Sequence, residues 1–367
     1  MNAERINWWR TSFGEKEIEA IADAIRLESV SQGEIASLFE KEVGAILGVK
    51  HVVATSNGTA ALSMALMAVG VAPGDEVIVP NRTWIATAHA AYILGAKIVL
   101  ADVERNRPII DVESIESQIS SKTKAIIPVH MNGRAANIEA INKLGKKHGI
   151  AVIEDAAQAF FSKNSTGYLG TLSDIGCFSL SVAKLISAGQ GGFAVTNSDQ
   201  LMEAMRNIRT QGVEQVLDPD QWGRPGFNFR FTDVHASIAR IQLTKLNERV
   251  NHCKAIYELY RERLSDVDRL HIIPVDDEVG EIAIYNEYLC ESRNYLMGFL
   301  EAQNIQCRPY YPNLDLAPYL DQGATNFPNS KIYSEQGIYL PSGPGQSLVN
   351  IDKVIDVIRD SEKSGLW

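Results

Sequence analysis

The stretch Glu154-Asp155-Ala156-Ala157-Gln158-Ala159, together with the apolar run over residues 151–154, decides the fold of this chain. The run is typical of a buried strand. Asp155 follows directly, so its carboxylate is expected at the carboxyl edge of a parallel sheet, where α/β proteins place their sites. Further along, Lys184 stands in the loop Phe178-Ser179-Leu180-Ser181-Val182-Ala183-Lys184. An acid and a lysine near one sheet edge indicate a catalytic pair, although such an Asp is often a helix cap and a lone lysine is usually solvated.

Apolar runs alternate with helical patterns on both sides of this stretch. Strands are predicted at residues 52–55, 76–80, 97–102, 123–129, 151–154, 176–180 and 192–196, and helices at residues 15–27, 32–47, 60–69, 84–94, 137–148 and 234–264. Such alternation is the signature of βαβ units in a parallel sheet, so the fold class is α/β.

The length of the chain allows two domains. With 367 residues and 45% hydrophobic composition, it can bury a large core and a smaller one. We expect a large α/β domain over residues 1–250, including the N-terminal helices, and a small C-terminal α+β domain over residues 251–367. The long helical stretch at 234–264 is expected to bridge them.

Composition argues against several classes of function. A formal charge of -10 disfavours a nucleic-acid surface. The four cysteines lie far apart, without a CxxC pair or clustered histidines, so free thiols are expected rather than disulfides or a metal site. The N-terminal ten residues lack a signal-peptide layout, and no run reaches the roughly 18 apolar residues of a membrane span. A cytoplasmic protein without a membrane partner is expected.

Three further features suit pyridoxal 5'-phosphate. Ser56-Asn57-Gly58-Thr59 lies between a strand and a helix, where backbone N–H groups and the Thr59 hydroxyl favour an anion. Ser179, on the strand leading to the lysine loop, is a second phosphate donor. Trp84 follows the strand that ends at Pro80 and can stack on a pyridine ring. Plain helix capping and core packing are the alternative interpretations of the first motif and of Trp84.

The acid and the lysine fit the same cofactor. Lys184 forms the bond to the cofactor aldehyde and moves a proton between carbon and nitrogen centres of the bound amine. Asp155 keeps the pyridine nitrogen protonated, so that the ring takes up electrons. Gln158, expected one helical turn further on, is near enough to donate to the phenolic oxygen.

In this order, the motifs resemble those of the DegT/DnrJ/EryC1/StrS family of sugar aminotransferases, which are fold-type-I pyridoxal phosphate enzymes. The resemblance covers nearly the whole chain. It rests on Ser31-Gln32-Gly33, Ser56-Asn57-Gly58-Thr59-Ala60-Ala61-Leu62, Pro73-Gly74-Asp75-Glu76-Val77-Ile78-Val79-Pro80, Glu154-Asp155-Ala156-Ala157-Gln158-Ala159, Phe178-Ser179 with Lys184, Gly191-Gly192, and Gly226-Phe227-Asn228-Phe229-Arg230-Phe231-Thr232-Asp233. It implies a large domain with a mostly parallel, seven-stranded sheet and a smaller C-terminal α+β domain.

The resemblance also implies residue roles. Lys184 is the Schiff-base lysine and proton carrier, Asp155 the pyridinium partner, and Gln158 the contact to the phenolic oxygen. The other cofactor contacts implied are Gly58, Thr59, Trp84, Ser179 and Asn228. In this family the residue at the Asn228 position comes from the second subunit, so a homodimer with shared active sites is implied.

The substrates follow from the same resemblance. The implied reaction takes an amino group from L-glutamate, releasing 2-oxoglutarate, and gives it to a nucleotide-linked keto-deoxy sugar for surface-polysaccharide or glycoconjugate synthesis. Residues 305–312 and Leu340-Pro341-Ser342 resemble perosamine-synthase-like members, which act at sugar C4 and so favour a 4-keto-6-deoxy sugar. The candidate substrate contacts are Arg230, Arg308 and Tyr310. Some members with histidine in place of the lysine are dehydratases, so Lys184 favours transamination.

Two rival functions stay open at this point. One is an enzyme of the same fold acting on another ketone or as a lyase, and the other is a cofactor-binding sensor without turnover. A nicotinamide enzyme is disfavoured because no G-x-G-x-x-G follows the first strand. Phe160-Phe161, Ser181-Val182-Ala183 and Asn132 depart from the usual family pattern, and we expect some of them to line the sugar pocket.

Overall fold

The computed structural model describes residues 5–213, 224–320 and 325–363. Residues 1–4, 214–223, 321–324 and 364–367 lie outside the described part. The strands are β1 (His51–Thr55), β2 (Glu76–Pro80), β3 (Lys97–Ala101), β4 (Thr123–Ile126), β5 (Ala151–Asp155), β6 (Ile175–Ser179), β7 (Gly192–Thr196), β8 (His271–Ile272), β9 (Asn286–Leu289), β10 (Arg308–Pro309) and β11 (Gly337–Leu340). The α-helices are α1 (Glu15–Arg26), α2 (Glu34–Leu47), α3 (Gly58–Ala68), α4 (Ala86–Tyr92), α5 (Val112–Gln118), α6 (Ile138–His148), α7 (Asp199–Arg209), α8 (Asp233–Thr244), α9 (Leu246–Arg263), α10 (Arg293–Ala302), α11 (Pro328–Gln336) and α12 (Leu348–Lys363).

The larger sheet has seven strands in the order β1-β7-β6-β5-β4-β2-β3. Strands β2 to β6 pair in parallel, whereas β7 runs antiparallel to both of its neighbours, β1 and β6. The predicted α/β class with a mostly parallel sheet is therefore confirmed. Helices joining parallel strands cover both faces, which explains why β2 is buried at every position.

Local sequence sets the helix limits. In α6, the Asn137 side chain accepts a hydrogen bond from Ala140 N–H (3.2 Å) and so caps the first turn. Ile138, Ile141 and Leu144 are buried on one face. The helix ends at Gly149, whose φ of 69° is left-handed, a conformation that a side chain disfavours. The chain then enters β5.

A second, smaller sheet has the order β10-β11-β9-β8 and is antiparallel throughout. Helices α9, α10 and α12 pack beside it around a core of its own, which includes Tyr260, Leu296, Ile338 and Ile355. Ile6 belongs to the same core and pairs with Ile305. The N-terminal segment, defined here as residues 5–12, thus runs along the C-terminal unit although it precedes the large sheet in sequence.

The structure corrects three local predictions. The helical stretch at 234–264 is two helices, α8 and α9, because Lys245 leaves helical geometry (φ -97°, ψ 4°) and binds Glu17 of α1 with its ammonium (2.5 Å). Asp155 is the last residue of β5 and does not follow it. Gln158 lies in a turn rather than on a helix.

Candidate active site

A cavity of about 440 Å³ opens between the carboxyl edge of the large sheet and the second sheet. It brings together most of the predicted site residues, namely Gly58, Thr59, Trp84, Asp155, Gln158, Ser179, Lys184 and Arg308. Trp8 of the N-terminal segment also lines it. The cavity therefore has walls from three separate parts of the chain.

Asp155 is buried, and its carboxylate is held by two donors. Oδ2 accepts from the Thr87 hydroxyl (2.9 Å) and Oδ1 from Ala157 N–H (3.1 Å). The Thr83 and Thr87 hydroxyl oxygens are 2.9 Å apart. Because Thr87 uses its proton on Asp155, the Thr83 hydroxyl is the donor to Thr87. Burial raises the pKa of Asp155, while the Ala157 and Thr87 donors oppose that rise.

Lys184 lies in the loop between β6 and β7, with its side chain on the cavity. Burial lowers the pKa of Lys184 to about 8, against the opposing attraction of Asp155. A lysine with this pKa is partly neutral near pH 8 and can attack a carbonyl, which the protonated ammonium cannot do. The two groups thus have opposite pKa shifts in one cavity.

The other end of the cavity is made of backbone. The Asn57 side chain accepts from Ala60 N–H (2.8 Å) and caps α3, which begins at Gly58. A Cβ on Gly58 would lie 2.9 Å from Ser179 Cβ, and one on Gly192 would lie 2.6 Å from the Gly58 nitrogen. The chain is therefore packed too closely here for side chains. The first N–H groups of the helix have no intrahelical partner and can bind an anion. Capping and anion binding coexist in this motif.

Gln158 has a fixed orientation. Its Oε1 accepts from Asn132 N–H (3.0 Å), which leaves its NH₂ group available as a donor. Trp84 is 57% exposed at the cavity and meets the Tyr311 ring edge-to-face, with centroids 5.4 Å apart. Its exposure leaves ring surface available for stacking, in contrast to the alternative of core packing.

Three predicted residues do not line this cavity. Asn228 is exposed and accepts from the Arg230 guanidinium (3.0 Å), so both belong to a surface loop. Tyr310 is buried behind the cavity, where the Arg82 guanidinium lies 4.2 Å from the ring centroids of both Tyr310 and Tyr311. Tyr311, not Tyr310, is the tyrosine of this pair that reaches the cavity.

Sequence reasoning missed several cavity residues. Thr87, which orients Asp155, follows Thr83 by one helical turn, and that spacing of two hydroxyls was the available signal. The walls contributed by Trp8, Tyr285 and Tyr339 had no local signal, since they come from distant segments.

The departures from the usual family pattern divide into two groups. Ser181 and Ala183 line the cavity. Phe160 instead packs in the core against Phe178, and Asn132 is fully buried, donating to the Tyr285 carbonyl (2.8 Å). These two positions serve packing and the contact between the two sheets rather than a sugar pocket.

Comparison with known proteins places the chain. A model of the DegT/DnrJ/EryC1/StrS aminotransferase family matches residues 11–359. The chain belongs to this family. A GDP-perosamine synthase from Vibrio cholerae is 32% identical over 343 residues, covering 90% of this chain and 91% of the relative. A GDP-perosamine synthase from Caulobacter vibrioides is 33% identical over 335 residues, covering 89% of each.

Solved structures agree with this family membership. A DegT/DnrJ/EryC1/StrS aminotransferase from Brucella abortus superposes with a TM-score of 0.88 at 30% identity, covering 94% of this chain and 95% of the other. DesV from S. venezuelae, solved with a ketimine intermediate, gives a TM-score of 0.91 at 27% identity, covering 97% and 98%. The chain is a pyridoxal 5'-phosphate-dependent aminotransferase of this family with the expected fold.

The cavity fits the cofactor of the family. The free N–H groups at the start of α3 would bind the phosphate, and the buried Asp155 carboxylate would gain a cationic partner from the ring nitrogen. When bound, the cofactor supplies an electron-accepting ring to the amine being transferred. We propose that Asp155 would then hold the proton on the ring nitrogen and that Lys184 would move a proton at the reacting carbon.

The described residues contain neither a cluster of metal ligands nor a membrane-spanning helix. Over 5–213, 224–320 and 325–363, no group of three or more His, Cys, Asp or Glu side chains could hold a metal ion. In the same ranges no helix combines the length and apolar character needed to cross a bilayer. All four cysteines are free thiols.

Proposed function

We propose that this enzyme is a sugar aminotransferase that moves the amino group of L-glutamate to the ketone of a nucleotide-linked keto-deoxy sugar, with a 4-keto-6-deoxy sugar as the acceptor. The names of the two GDP-perosamine synthase relatives support this assignment. The product would serve surface-polysaccharide or glycoconjugate synthesis. The cytoplasmic location expected from the sequence stays a prediction.

The observation that carries the proposal is the charge inventory of the cavity. Among the described residues that line it, the charged side chains are Asp155, Lys184 and Arg308. Asp155 is matched by the ring nitrogen of the cofactor, and Lys184 by its aldehyde. Arg308 remains as a cation for an anionic substrate. Its guanidinium lies 4.3 Å over the Trp8 ring, which orients it without neutralising it.

An anionic donor and an anionic acceptor both suit this arrangement. L-Glutamate carries carboxylates and a nucleotide sugar carries a pyrophosphate, and each forms charge-assisted hydrogen bonds with a guanidinium. In a ping-pong reaction the two substrates use the cavity in turn. The Arg308 guanidinium can therefore contact each of the two substrates in its turn.

The second subunit is part of the proposal. Asn228 and Arg230 lie on an exposed loop outside their own cavity, and Phe227 beside them is 45% exposed. Such exposure fits a loop that completes the phosphate and substrate contacts of a partner subunit in a homodimer. The division into domains at residue 250 also stays a proposal, which the separate core of the C-terminal unit supports.

The experiment starts from enzyme converted to its pyridoxamine form with L-glutamate. We expect nucleotide-linked 4-keto-6-deoxy sugars to restore the visible absorption of the lysine-bound cofactor within one turnover. Common 2-oxo acids other than 2-oxoglutarate should not. The Arg308→Met variant, which keeps length but removes charge, should raise the KM for the sugar by about tenfold or more.

The rivals predict different results. Rapid restoration by common 2-oxo acids with no response to any nucleotide sugar would establish an aminotransferase for another ketone. Cofactor binding without formation of 2-oxoglutarate from L-glutamate would favour a sensor.

A further inference from the structure

The backbone around Lys184 is held by three donors from distant parts of the chain. The Trp9 indole N–H donates to the Val182 carbonyl (2.8 Å) and the Tyr285 hydroxyl to the Ala183 carbonyl (2.5 Å). On the other side of the lysine, the Arg249 guanidinium donates to the Leu185 carbonyl (3.1 Å). The lysine loop, defined here as residues 180–187, is thus tied down at the two residues before Lys184 and at the one after it.

The three donors are themselves connected. Trp9 meets the Tyr285 ring edge-to-face, with centroids 5.3 Å apart. Arg249 also donates to the Ser12 carbonyl (2.5 Å), which ends the N-terminal segment. That segment is anchored in turn by the pairing of Trp9 with Ser342 and of Ile6 with Ile305. The lysine loop, the N-terminal segment and the C-terminal unit are therefore joined at one place.

These contacts go beyond the motifs of the family. Trp9 precedes the residues matched by the family model, which begin at 11. Val182 and Ala183 belong to the run that departs from the usual family pattern. Neither the family motifs nor the catalytic roles proposed for the cavity residues explain these hydrogen bonds.

We propose that the N-terminal segment is a functional part of this active site, in which Trp9 and Tyr285 act as positioning residues for Lys184. They fix the two carbonyls that precede the lysine, and so fix the direction in which its side chain leaves the backbone. A nucleophile held in one geometry loses less conformational entropy when it bonds to the cofactor aldehyde. The inference rests on the proposed role of Lys184.

The two hydrogen bonds differ in expected strength. Tyr285 is buried and its hydrogen bond to the half-buried Ala183 is the shorter of the two (2.5 Å), so removing its hydroxyl leaves this carbonyl poorly compensated. Val182 is 53% exposed, so water can replace the indole N–H there. Loss of the tyrosine hydroxyl should therefore have the larger effect.

The test uses Tyr285→Phe and Trp9→Phe, which remove one donor each and keep an aromatic ring. The first measurement is hydrogen exchange of the peptide covering residues 180–187 in the cofactor-free protein. We expect exchange about fivefold faster in Tyr285→Phe and about twofold faster in Trp9→Phe. The second is the equilibrium constant for covalent capture of pyridoxal 5'-phosphate, read from its visible absorption, which should weaken in the same order.

Two matched controls accompany these variants. Tyr288 lies in β9, three residues after Tyr285, and packs in the core of the C-terminal unit. Tyr288→Phe therefore removes a buried hydroxyl close to Tyr285 in the chain. Arg5→Met removes a donor of the same N-terminal segment, whose guanidinium binds Glu301 (2.9 Å) at the surface and neither lines the cavity nor donates to a loop carbonyl among the described contacts. Both controls should keep wild-type exchange and capture.

The outcomes separate this inference from the function on which it rests. Unchanged exchange and capture in both test variants would overturn the positioning role. Equal changes in the controls would also overturn it, by showing general loosening. A third outcome is that wild-type protein fails to capture the cofactor at Lys184 while the test variants alone exchange faster. That result would contradict the proposed role of Lys184 and would still support the hydrogen bonds of Trp9 and Tyr285 as constraints on the lysine loop.

Discussion

Asp155 and Lys184 are each unfavourable as a charge in the cofactor-free cavity. Burial raises the pKa of the carboxyl and lowers that of the ammonium, so both shifts move towards the neutral forms. Opposite shifts of two titratable groups in one cavity are typical of a site built for acid and base roles. In the proposed function the cofactor would supply the missing partners, a pyridinium for Asp155 and an aldehyde for Lys184.

The pKa of Lys184 predicts how cofactor capture depends on pH. Only the neutral amine attacks, and a folded-state pKa of about 8 means that about half of the amine is neutral at that pH. We expect the rate of capture by cofactor-free enzyme to rise from pH 6, to reach half of its maximum near pH 8 and to level off about one pH unit higher. An unperturbed lysine would continue to rise towards its ordinary pKa of about 10.4.

Stopped-flow absorption over a pH series measures this rate, with free N-acetyl-lysine as the unperturbed reference. The same shift has a consequence for stability. Because the unfolded chain holds the lysine proton longer, this residue makes folding more favourable as the pH rises from about 8 to the unfolded pKa of about 10.4. A capture rate still rising above pH 9 would contradict the assigned environment of Lys184.

At the scale of elements, α2 is capped by Asp233, the first residue of α8. The Asp233 carboxylate accepts from Gly33 N–H and Ala36 N–H, each at 2.9 Å. A Cβ on Gly33 would lie 2.6 Å from Asp233 Oδ2, so only glycine leaves room for the carboxylate. Ser31-Gln32-Gly33 and Thr232-Asp233 were separate motifs in the sequence, and this contact is the physical reason for both.

Removing that cap should destabilise the whole protein. We expect Asp233→Ala to lower the free energy of unfolding by about 2–4 kcal/mol, since it leaves the buried Ala36 N–H and the partly buried Gly33 N–H without their acceptor. Asp233→Asn keeps one oxygen acceptor and should lose about 1 kcal/mol. Urea unfolding followed by circular dichroism tests both, and an equal loss in the two variants would argue against capping as the cause.

At the scale of the whole molecule, the two sheets are joined by a buried polar network. The Asn132 amide donates to Glu287 Oε2 (2.9 Å), and the Arg134 guanidinium pairs with the same oxygen. Arg134 also donates to the Pro274 carbonyl (2.8 Å). Because removing one partner of such a network would leave a buried charge unpaired, the network holds β9 against the loop that carries Asn132 and Arg134.

The proposed shared site predicts complementation between inactive subunits. Lys184→Ala and Asn228→Ala proteins should each be inactive or nearly so. When they are mixed and allowed to exchange subunits, activity should recover to about a quarter of wild type, because half of the dimers are mixed and one of their two sites is intact. Steady-state transamination on the mixture provides the measurement.

The control for complementation mixes Lys184→Ala with Asp155→Ala. Asp155 and Lys184 line the same cavity of one chain, so no mixed dimer has an intact site and no activity should return. Recovery in this control, or a fully active monomer by sedimentation, would rule out the proposed contribution of Asn228.

Most of the elements and the inner part of the site could be predicted from the sequence. Alternating apolar runs and helices predicted the α/β class, because a parallel sheet buried on both faces requires that alternation. Gly58 begins α3, Asp155 ends β5, and Lys184 lies in the loop between β6 and β7. Each could therefore be found from the local sequence. Their position in the cavity follows from the local chain alone.

The residues that surround the inner part of the site depend on how the elements pack in the tertiary structure. Neighbouring residues of an extended segment face opposite sides, so the choice between Tyr310 and Tyr311 depended on which side of the second sheet faces the cavity. Trp9 reaches Val182 only because the N-terminal segment runs along the C-terminal unit. Contacts between residues so far apart leave no periodic signal in the sequence, since they depend on how finished elements pack together.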